Sequence, residues 1–217
     1  MRRVLATTGA GVLLWALIAV AVPATAMASA VTSCSGELAA GSYGKVVVPE
    51  GSVCLSDGPV NISGGLWVSP GATFVLGTEE NPTPTGTIDN GVHSTDAANV
   101  QIHFTTINGG VDIHGGSGPF GPPFDVTWNT IEDSLIHGGV VIDGYDGFWM
   151  GFIRNDVRGT VTLTNNVLQD PDGNEYVTNS IHGNLNCSGN DPAPQVGDSE
   201  GEENVVTGQK TGQCADL

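Results

Sequence analysis

Basic side chains are scarce in this chain, in which six lysines and arginines oppose 23 aspartates and glutamates. Two of the six lie at positions 2 and 3. The four that follow are Lys45, Arg154, Arg158 and Lys210, which leaves a net charge of −19 after position 3. A surface this acidic repels nucleic acid and anionic lipid, and we expect neither as a partner. It also disfavours a polyanionic polysaccharide such as pectate, unless a divalent cation bridges the two.

Long apolar stretches are equally scarce, and the one present covers residues 4–22, directly after the two amino-terminal arginines. Proline and small residues follow it, and Ala26-Met27-Ala28 is its best match to a signal-peptidase site. These features are typical of a secretory signal peptide, which we place at residues 1–28. Residues 29–217 are then predicted to form one secreted, extracellular domain without a membrane anchor. An uncleaved anchor is the alternative, but the small-residue site follows at the distance expected for cleavage.

Only four cysteines are present, at positions 34, 54, 187 and 214. An even number of cysteines in an exported chain favours disulfides, and no C-x-x-C spacing suggests a metal site. Pairing of Cys34 with Cys54 and of Cys187 with Cys214 would close short loops and staple both ends of the domain. Four cysteines allow two other pairings as well.

Strong helix formers are sparse, whereas glycine occurs 32 times. A pattern written apolar-x-Gly-x-apolar-x-apolar recurs along the chain, at residues 62–68, 107–113, 136–142, 157–163 and 181–187. Degenerate copies centre on residues 44, 90 and 208, so that the steps between copies run from 19 to 29 residues. Alternation over seven residues predicts a strand with one apolar face.

A single strand of this kind cannot bury its apolar face alone, but copies stacked side by side can. A step of about 20 residues suits one turn of a parallel β-helix. We therefore predict an all-β, single-stranded, right-handed parallel β-helix of about eight coils, with a glycine at the corner of each turn. An antiparallel sandwich is the main alternative, although it would not repeat one register at so regular a step. The six-residue period of the left-handed form is absent.

Segments at both ends of the domain resemble a group of small secreted actinobacterial β-helix proteins of unknown function. The similar segments are residues 34–68, 183–190, 192–194 and 204–217. The resemblance implies a β-helix with an exported, wall-associated location, and it implies no activity. The architecture is more distantly similar to the pectin-lyase-like superfamily, a likeness of fold that does not carry function.

Four of the five histidines are predicted to point outwards from one face of the repeated strand: His93, His114, His137 and His182. On adjacent turns, His93 would lie beside Asp112 and His114 beside Asp143. Such carboxylate–imidazole pairs can perform acid–base chemistry or hold a divalent ion. A solvated sheet face also needs polar residues, and this interpretation explains the same pattern without a site.

The best candidates for catalysis are His137, Arg158 and His182, which fall at the second position of three successive copies. Enzymes that cleave polysaccharides on this fold need a basic residue to stabilise an enolate, or a dense carboxylate cluster. Arg158 would supply the basic residue, flanked by two imidazoles. The spacing matches no established catalytic signature.

Aromatic residues gather between positions 120 and 152, where exposed rings could stack on sugars. Alternation predicts Phe148, Met150 and Phe152 inside the helix, together with Trp128. Trp149 is then the ring expected at the surface, with a loop that carries Phe120 and Phe124. Core packing is the interpretation that we favour for most of this group.

The function predicted from these patterns is that of a secreted, non-catalytic β-helix, a structural or glycan-binding module at the cell surface. Cell-wall or environmental glycan is the expected partner. The alternative is an extracellular polysaccharide lyase or hydrolase that uses the outer face of the main sheet. We predict no cofactor, although an acidic loop at residues 191–203 could hold calcium weakly.

Overall fold

The computed structural model describes residues 30–118, 128–197 and 201–217, which form a parallel β-helix with three sheets, here named A, B and C. The strand pairs of the described residues are parallel, and strands within each sheet pair with strands one turn before and after them. The predicted all-β fold is therefore confirmed. The predicted signal peptide at residues 1–28 lies outside the described residues.

Sheet A has nine strands, Val31–Ser33, Lys45–Val48, Leu66–Val68, Val92–Thr95, Val111–His114, Val140–Asp143, Val161–Thr164, Leu185–Ser188 and Lys210–Gly212. Sheet B has seven, Gly36–Glu37, Val53–Ser56, Thr73–Leu76, Asn99–His103, Trp128–Glu132, Trp149–Ile153 and Asn174–Val177. Sheet C has eight, Gly41–Tyr43, Val60–Ile62, Gly86–Ile88, Thr105–Ile107, Leu135–Ile136, Asp156–Val157, Ser180–Ile181 and Val205–Val206. A small sheet pairs Asp146–Gly147 with Val167–Leu168.

The chain visits the sheets in the order A, B, C, and seven consecutive turns contribute a strand to all three. In an eighth turn, the described residues between sheets A and C contain no sheet B strand, and a last sheet A strand ends the helix. Seven complete turns and one incomplete turn are close to the prediction of about eight coils. No α-helix long and apolar enough to span a membrane occurs in the three described segments.

The sequence predicted that the repeated seven-residue pattern forms one strand. It forms two strands of different sheets, joined by a corner. In residues 62–68, Ile62 ends a strand of sheet C and Leu66 begins a strand of sheet A, with a turn between them. The apolar residues on both sides still point inwards, because the corner turns the chain without changing which side faces the interior. The period was therefore interpreted correctly and the local conformation was not.

The glycine of each copy lies at this corner, where backbones of successive turns touch. Gly138 donates its N–H to the carbonyl of Gly109 at 2.8 Å, and Gly159 donates to Gly138 at 3.1 Å. A Cβ on Gly138 would lie 2.6 Å from the backbone carbon of Gly109, closer than carbon atoms can pack. The predicted position of glycine at the corner is confirmed, and the close approach of the backbones explains why the third position is glycine.

Columns of aliphatic side chains fill the interior, one residue for each turn. One column in register on sheet A is completely or almost completely buried: Val46, Leu66, Val92, Val111, Val140, Val161 and Leu185. Burial of a side chain of this size stabilises the fold by about 1.5–3 kcal/mol. No single turn forms a core of its own, so the turns depend on their neighbours.

Buried asparagines form a ladder at the corner between sheets B and C. The backbone N–H of Ser134 donates to Oδ1 of Asn155, that of Asn155 to Asn179, and that of Asn179 to Asn204, at 2.9–3.1 Å. Each side-chain oxygen thus satisfies a buried corner N–H that the sheets leave unpaired. The sequence interpretation did not identify these residues, although they recur at nearly the spacing of one turn.

Both predicted disulfides are present, Cys34–Cys54 and Cys187–Cys214, one at each end of the helix. They close loops of 20 and 27 residues. In the chain-entropy model a loop of this length contributes about 3 kcal/mol to stability. The bridges hold the first and last turns, each of which pairs with a single other turn among the described residues.

We predict that Gly138→Ala lowers the free energy of unfolding by about 1–3 kcal/mol, because the new methyl group would overlap the backbone of Gly109. Denaturant unfolding, followed by circular dichroism, measures the loss. Gly41→Ala is the matched control, since a Cβ on Gly41 would meet no atom closer than 3.7 Å. Equal stability of the two variants would contradict the close-contact explanation.

Candidate functional site

The outward side of sheet A, here called the sheet A face, carries two columns of side chains. The first column runs Trp67, His93, Asp112, Val141, Thr162, Asn186 and Thr211. The second runs Thr95, His114, Asp143, Thr164 and Ser188. Sheet C offers a single outward column over most of its length, because its strands are two or three residues long. The sheet A face is therefore broader than the outward side of sheet C.

The predicted carboxylate–imidazole pairs lie together on this face. His93 pairs in register with Asp112, and His114 with Asp143. His114 Nε2 lies 2.9 Å from Asp112 Oδ1, and His114 Nδ1 lies 3.6 Å from Asp143 Oδ2. His93 Nδ1 is 4.0 Å from Asp112 Oδ2, so one line of alternating imidazoles and carboxylates crosses three turns.

Asp143 is held at the end of this line by donors from the next turn. The hydroxyl of Thr164 donates to Asp143 Oδ1 at 2.6 Å, and the side-chain amide of Asn165 donates to the same oxygen at 3.0 Å. These hydrogen bonds, Thr164 first, lower the pKa of the Asp143 carboxyl, and His114 adds a smaller effect. Asp143 is therefore an ionised acceptor with a fixed orientation.

Trp67 extends the line towards the amino terminus. Its ring stacks on His93 of the following turn, with centroids 4.7 Å apart, and Lys45 Nζ of the preceding turn lies 3.6 Å from the ring centroid. His93 and Lys45 cover the two faces of the indole ring, so the edge of the ring faces solvent. Sequence reasoning did not identify this stack, which depends on side-chain direction.

The sequence predicted that His137 and His182 lie on the sheet A face. They lie instead at the corner between sheets C and A. The residue before each corner glycine belongs to the turn between the two sheets, because the seven-residue pattern is bent there. The predicted trio is only partly assembled. Arg158 Nη1 lies 3.2 Å from His182 Nε2, whereas the described contacts do not join His137 to either residue.

Asp156 completes this corner group, and sequence reasoning did not select it. Arg158 Nη2 donates to Asp156 Oδ2 at 3.0 Å, and His182 Nε2 lies 3.1 Å from Asp156 Oδ1. The carboxylate thus holds the guanidinium and the imidazole side by side. Asp156 lies two residues before Arg158 and one turn before His182, a relation that only the corner geometry reveals.

A second charged network lies at the corner between sheets B and C. Arg154 donates to Asp133 at 2.8 and 2.9 Å, to Glu132 at 2.9 Å and to Glu79 at 3.0 Å. Asp133 and Arg154 have positive φ angles of 50° and 56°, which stack them on successive turns. The hydrogen bonds to Asp133 are the main reason that the pKa of Arg154 is raised.

His103 and Glu132 are the buried members of this network. Burial lowers the pKa of His103, despite the nearby charges of Glu79, Asp133 and Glu80, and Arg154 lowers it further. Burial also raises the pKa of Glu132, although its carboxylate accepts hydrogen bonds from Thr130 at 2.5 Å and from Arg154.

Because Arg154 donates hydrogen bonds to three carboxylates, this network joins the loop that carries Glu79 to two turns of the helix. His103 Nδ1 lies 3.8 Å from Glu132 Oε2, beyond hydrogen-bonding distance.

The aromatic prediction is partly correct. Met150 and Phe152 are buried, as expected, but Phe148 is 37% exposed, so its predicted inward position is wrong. Phe148 precedes the strand Trp149–Ile153, and the alternation of that strand does not extend to it. Trp149 is partly exposed and leans over Gly151, whose missing side chain leaves room for the indole. Phe120, Phe124 and the side chain of Trp128 lie outside the described residues.

Within the described segments, no group of three or more His, Cys, Asp or Glu side chains is placed to hold a metal ion. The acidic loop proposed for calcium lies partly outside the described residues, which omit residues 198–200. Comparison with protein-family models, with curated proteins and with solved structures finds no match. The candidate site is therefore interpreted from its own geometry.

We predict that His103→Gln reduces the loss of stability on acidification. The pKa of His103 is lowered in the folded protein, whereas the unfolded chain binds the proton near pH 6.5. The stability contributed by neutral His103 is thus complete above that pH and is lost as the pH falls towards the folded-state pKa.

Denaturant unfolding of both proteins between about pH 7 and about pH 5 measures this effect, in the range where histidine titrates. Glu132 acts in the opposite sense, because its raised pKa adds stability as the pH falls, but it is present in both proteins. Parallel stability curves for the two proteins would show that His103 does not contribute.

Proposed function

We propose that the protein is a secreted, non-catalytic β-helix of the cell surface or extracellular space that binds glycan along the sheet A face. The observation that carries the proposal is the line of partly exposed imidazole and carboxylate groups from His93 to Asp143, which fix one another across successive turns. Fixed donors and acceptors hold sugar hydroxyls with a smaller loss of conformational entropy than mobile ones.

The sheet A face has the extent that a polysaccharide chain requires. Strand spacing of about 4.8 Å gives a repeating series of hydrogen-bonding groups along the helix axis. Beyond Asp143 the two columns continue with hydroxyl and amide side chains, from Thr162 to Thr211. Thr211 donates to Asn186 at 2.8 Å, so this part of the face is also ordered by contacts between turns.

Charge selects the class of glycan. The domain after position 3 has a net charge of −19, and Asp112 and Asp143 lie on the face itself. A polyanionic chain would be repelled along its whole length. A neutral polysaccharide, whose hydroxyl groups donate to the two carboxylates, is the ligand that this face favours.

A binding role fits the acid–base properties of the face better than catalysis does. A general acid in a glycosidase needs a carboxyl with a raised pKa, so that it carries a proton near the working pH. The pKa of Asp143 is lowered instead. Glu132 has a raised pKa, but it is buried in the network of Arg154, on a different sheet.

An extracellular location follows from the same proposal. Two disulfides and no free cysteine in the described chain are consistent with an oxidising compartment. The predicted signal peptide would deliver the domain there. The resemblance to small secreted actinobacterial β-helix proteins supports cell-wall glycan as the first partner to test.

We predict that Asp112→Ala weakens binding to a neutral polysaccharide by about 10-fold or more, since hydrogen bonds to a charged group contribute about 1.5–3 kcal/mol. Asp112 also positions His114, which would lose its carboxylate partner. Co-sedimentation of the purified domain with insoluble cell wall, cellulose and chitin measures retention. Asp172→Ala, at an exposed turn just before the sheet B strand Asn174–Val177, is the control of equal charge.

Two results of this assay would contradict the proposal. Unchanged retention of Asp112→Ala, with loss of retention in Trp149→Ala, would place binding on the aromatic side of sheet B. Release of new chain ends from any polysaccharide would show that the protein is an enzyme.

A further inference from the structure

The two arginines of the described chain differ in the groups that surround them. Arg154 makes four hydrogen bonds to three carboxylates, all of them from Nε and Nη2. Arg158 contacts one carboxylate and one imidazole, and its side chain is 48% exposed. A guanidinium has five N–H donors, so Arg158 keeps unused donors that face solvent.

Arg158 is also the centre of a column of basic side chains. His137, Arg158 and His182 occupy the same corner position on three successive turns, because each donates its backbone N–H to the end of the preceding sheet C strand. All three are exposed. In the described part of the chain, no other corner places Arg or His on three turns in succession.

Asp156 orients this group. It holds Arg158 Nη2 through one oxygen and lies beside His182 Nε2 with the other. His182 Nε2 therefore lies close to both Arg158 Nη1 and Asp156 Oδ1, at 3.2 and 3.1 Å. The next turn contributes Thr207, whose hydroxyl donates to the carbonyl of His182 at 2.8 Å.

We propose that Arg158, together with His182 and His137, forms a recognition site for a single oxyanion, such as a carboxylate, a sulfate or a phosphate group. The planar guanidinium donates two parallel N–H groups to the oxyanion, a geometry that suits all three. Asp156 keeps the guanidinium fixed in the absence of ligand.

The site takes one anionic group rather than a polyanion. Arg158 supplies one positive charge, beside Asp156, in a domain whose net charge is −19, so a chain with an anion on every unit would be repelled elsewhere. The oxyanion is either a free small anion or an occasional substituent on an otherwise neutral glycan. The inference holds whether or not the sheet A face binds glycan.

Titration with inorganic sulfate, followed by NMR of the histidine rings, tests the site directly. We expect saturable shifts of the His137 and His182 signals, with little change at His93 and His114 on the sheet A face. Arg158→Gln should weaken the apparent affinity at least about 10-fold, the loss expected for a charge-assisted hydrogen bond. Lys210→Gln, which removes the same charge elsewhere, should leave it unchanged.

A pair of matched oligosaccharides, one with a single sulfate and one neutral, distinguishes the two sources of the anion. Binding of inorganic sulfate in an Arg158-dependent way supports a site for free anions. Binding of the sulfated oligosaccharide alone, again dependent on Arg158, assigns the anion to a glycan substituent.

The proposal is overturned if neither probe shifts the two corner histidines, or if all four exposed histidines shift equally. Full affinity in Arg158→Gln would overturn it as well. Unchanged His114 signals and an unchanged unfolding midpoint in this variant establish that it is folded. If the protein binds sulfate at this corner but binds no neutral glycan, the proposed function is refuted and the oxyanion site is supported.

Discussion

Backbone contact between successive turns at the glycine corners is the constraint on which the structure depends. Gly138 lies against Gly109 and Gly159 against Gly138, so the turns approach each other without intervening side chains. This contact fixes the register of the strands on both sides of the corner. Because the register is fixed, a residue at one position of a turn lies directly beside the residue at the same position of the next. Every proposed site in this protein uses that relation.

The same constraint explains how much of the molecule was predictable from sequence. Repeated spacing identified the β-helix, its inward aliphatic columns and the pairs His93–Asp112 and His114–Asp143, since stacking in register follows from the period alone. The period does not show where the chain bends within a copy. For this reason His137 and His182 were assigned to a sheet face that they border but do not occupy. Phe148 was misplaced because alternation was extended beyond the end of a strand.

Other features depend on local conformations that leave little trace in the sequence. Asp133 and Arg154 stack because both adopt positive φ, a conformation uncommon for residues other than glycine. Their stacking creates the buried network of His103 and Glu132, which no spacing suggested. The asparagine ladder did leave a signal, because Asn155, Asn179 and Asn204 recur at nearly one turn. Polar residues between strands are usually interpreted as loop residues, and for this reason the ladder was not predicted.

Different groups of residues thus serve stability and the proposed recognition. Its interior and its buried networks hold the turns together, and the sheet A face presents ordered polar groups to solvent. Hydroxyl-radical footprinting with and without a bound neutral polysaccharide tests this assignment most directly. The account predicts protection of Trp67, His93 and His114, with no change at Phe148 and Trp149. Protection of Phe148 and Trp149 alone would contradict it and place the glycan on sheet B.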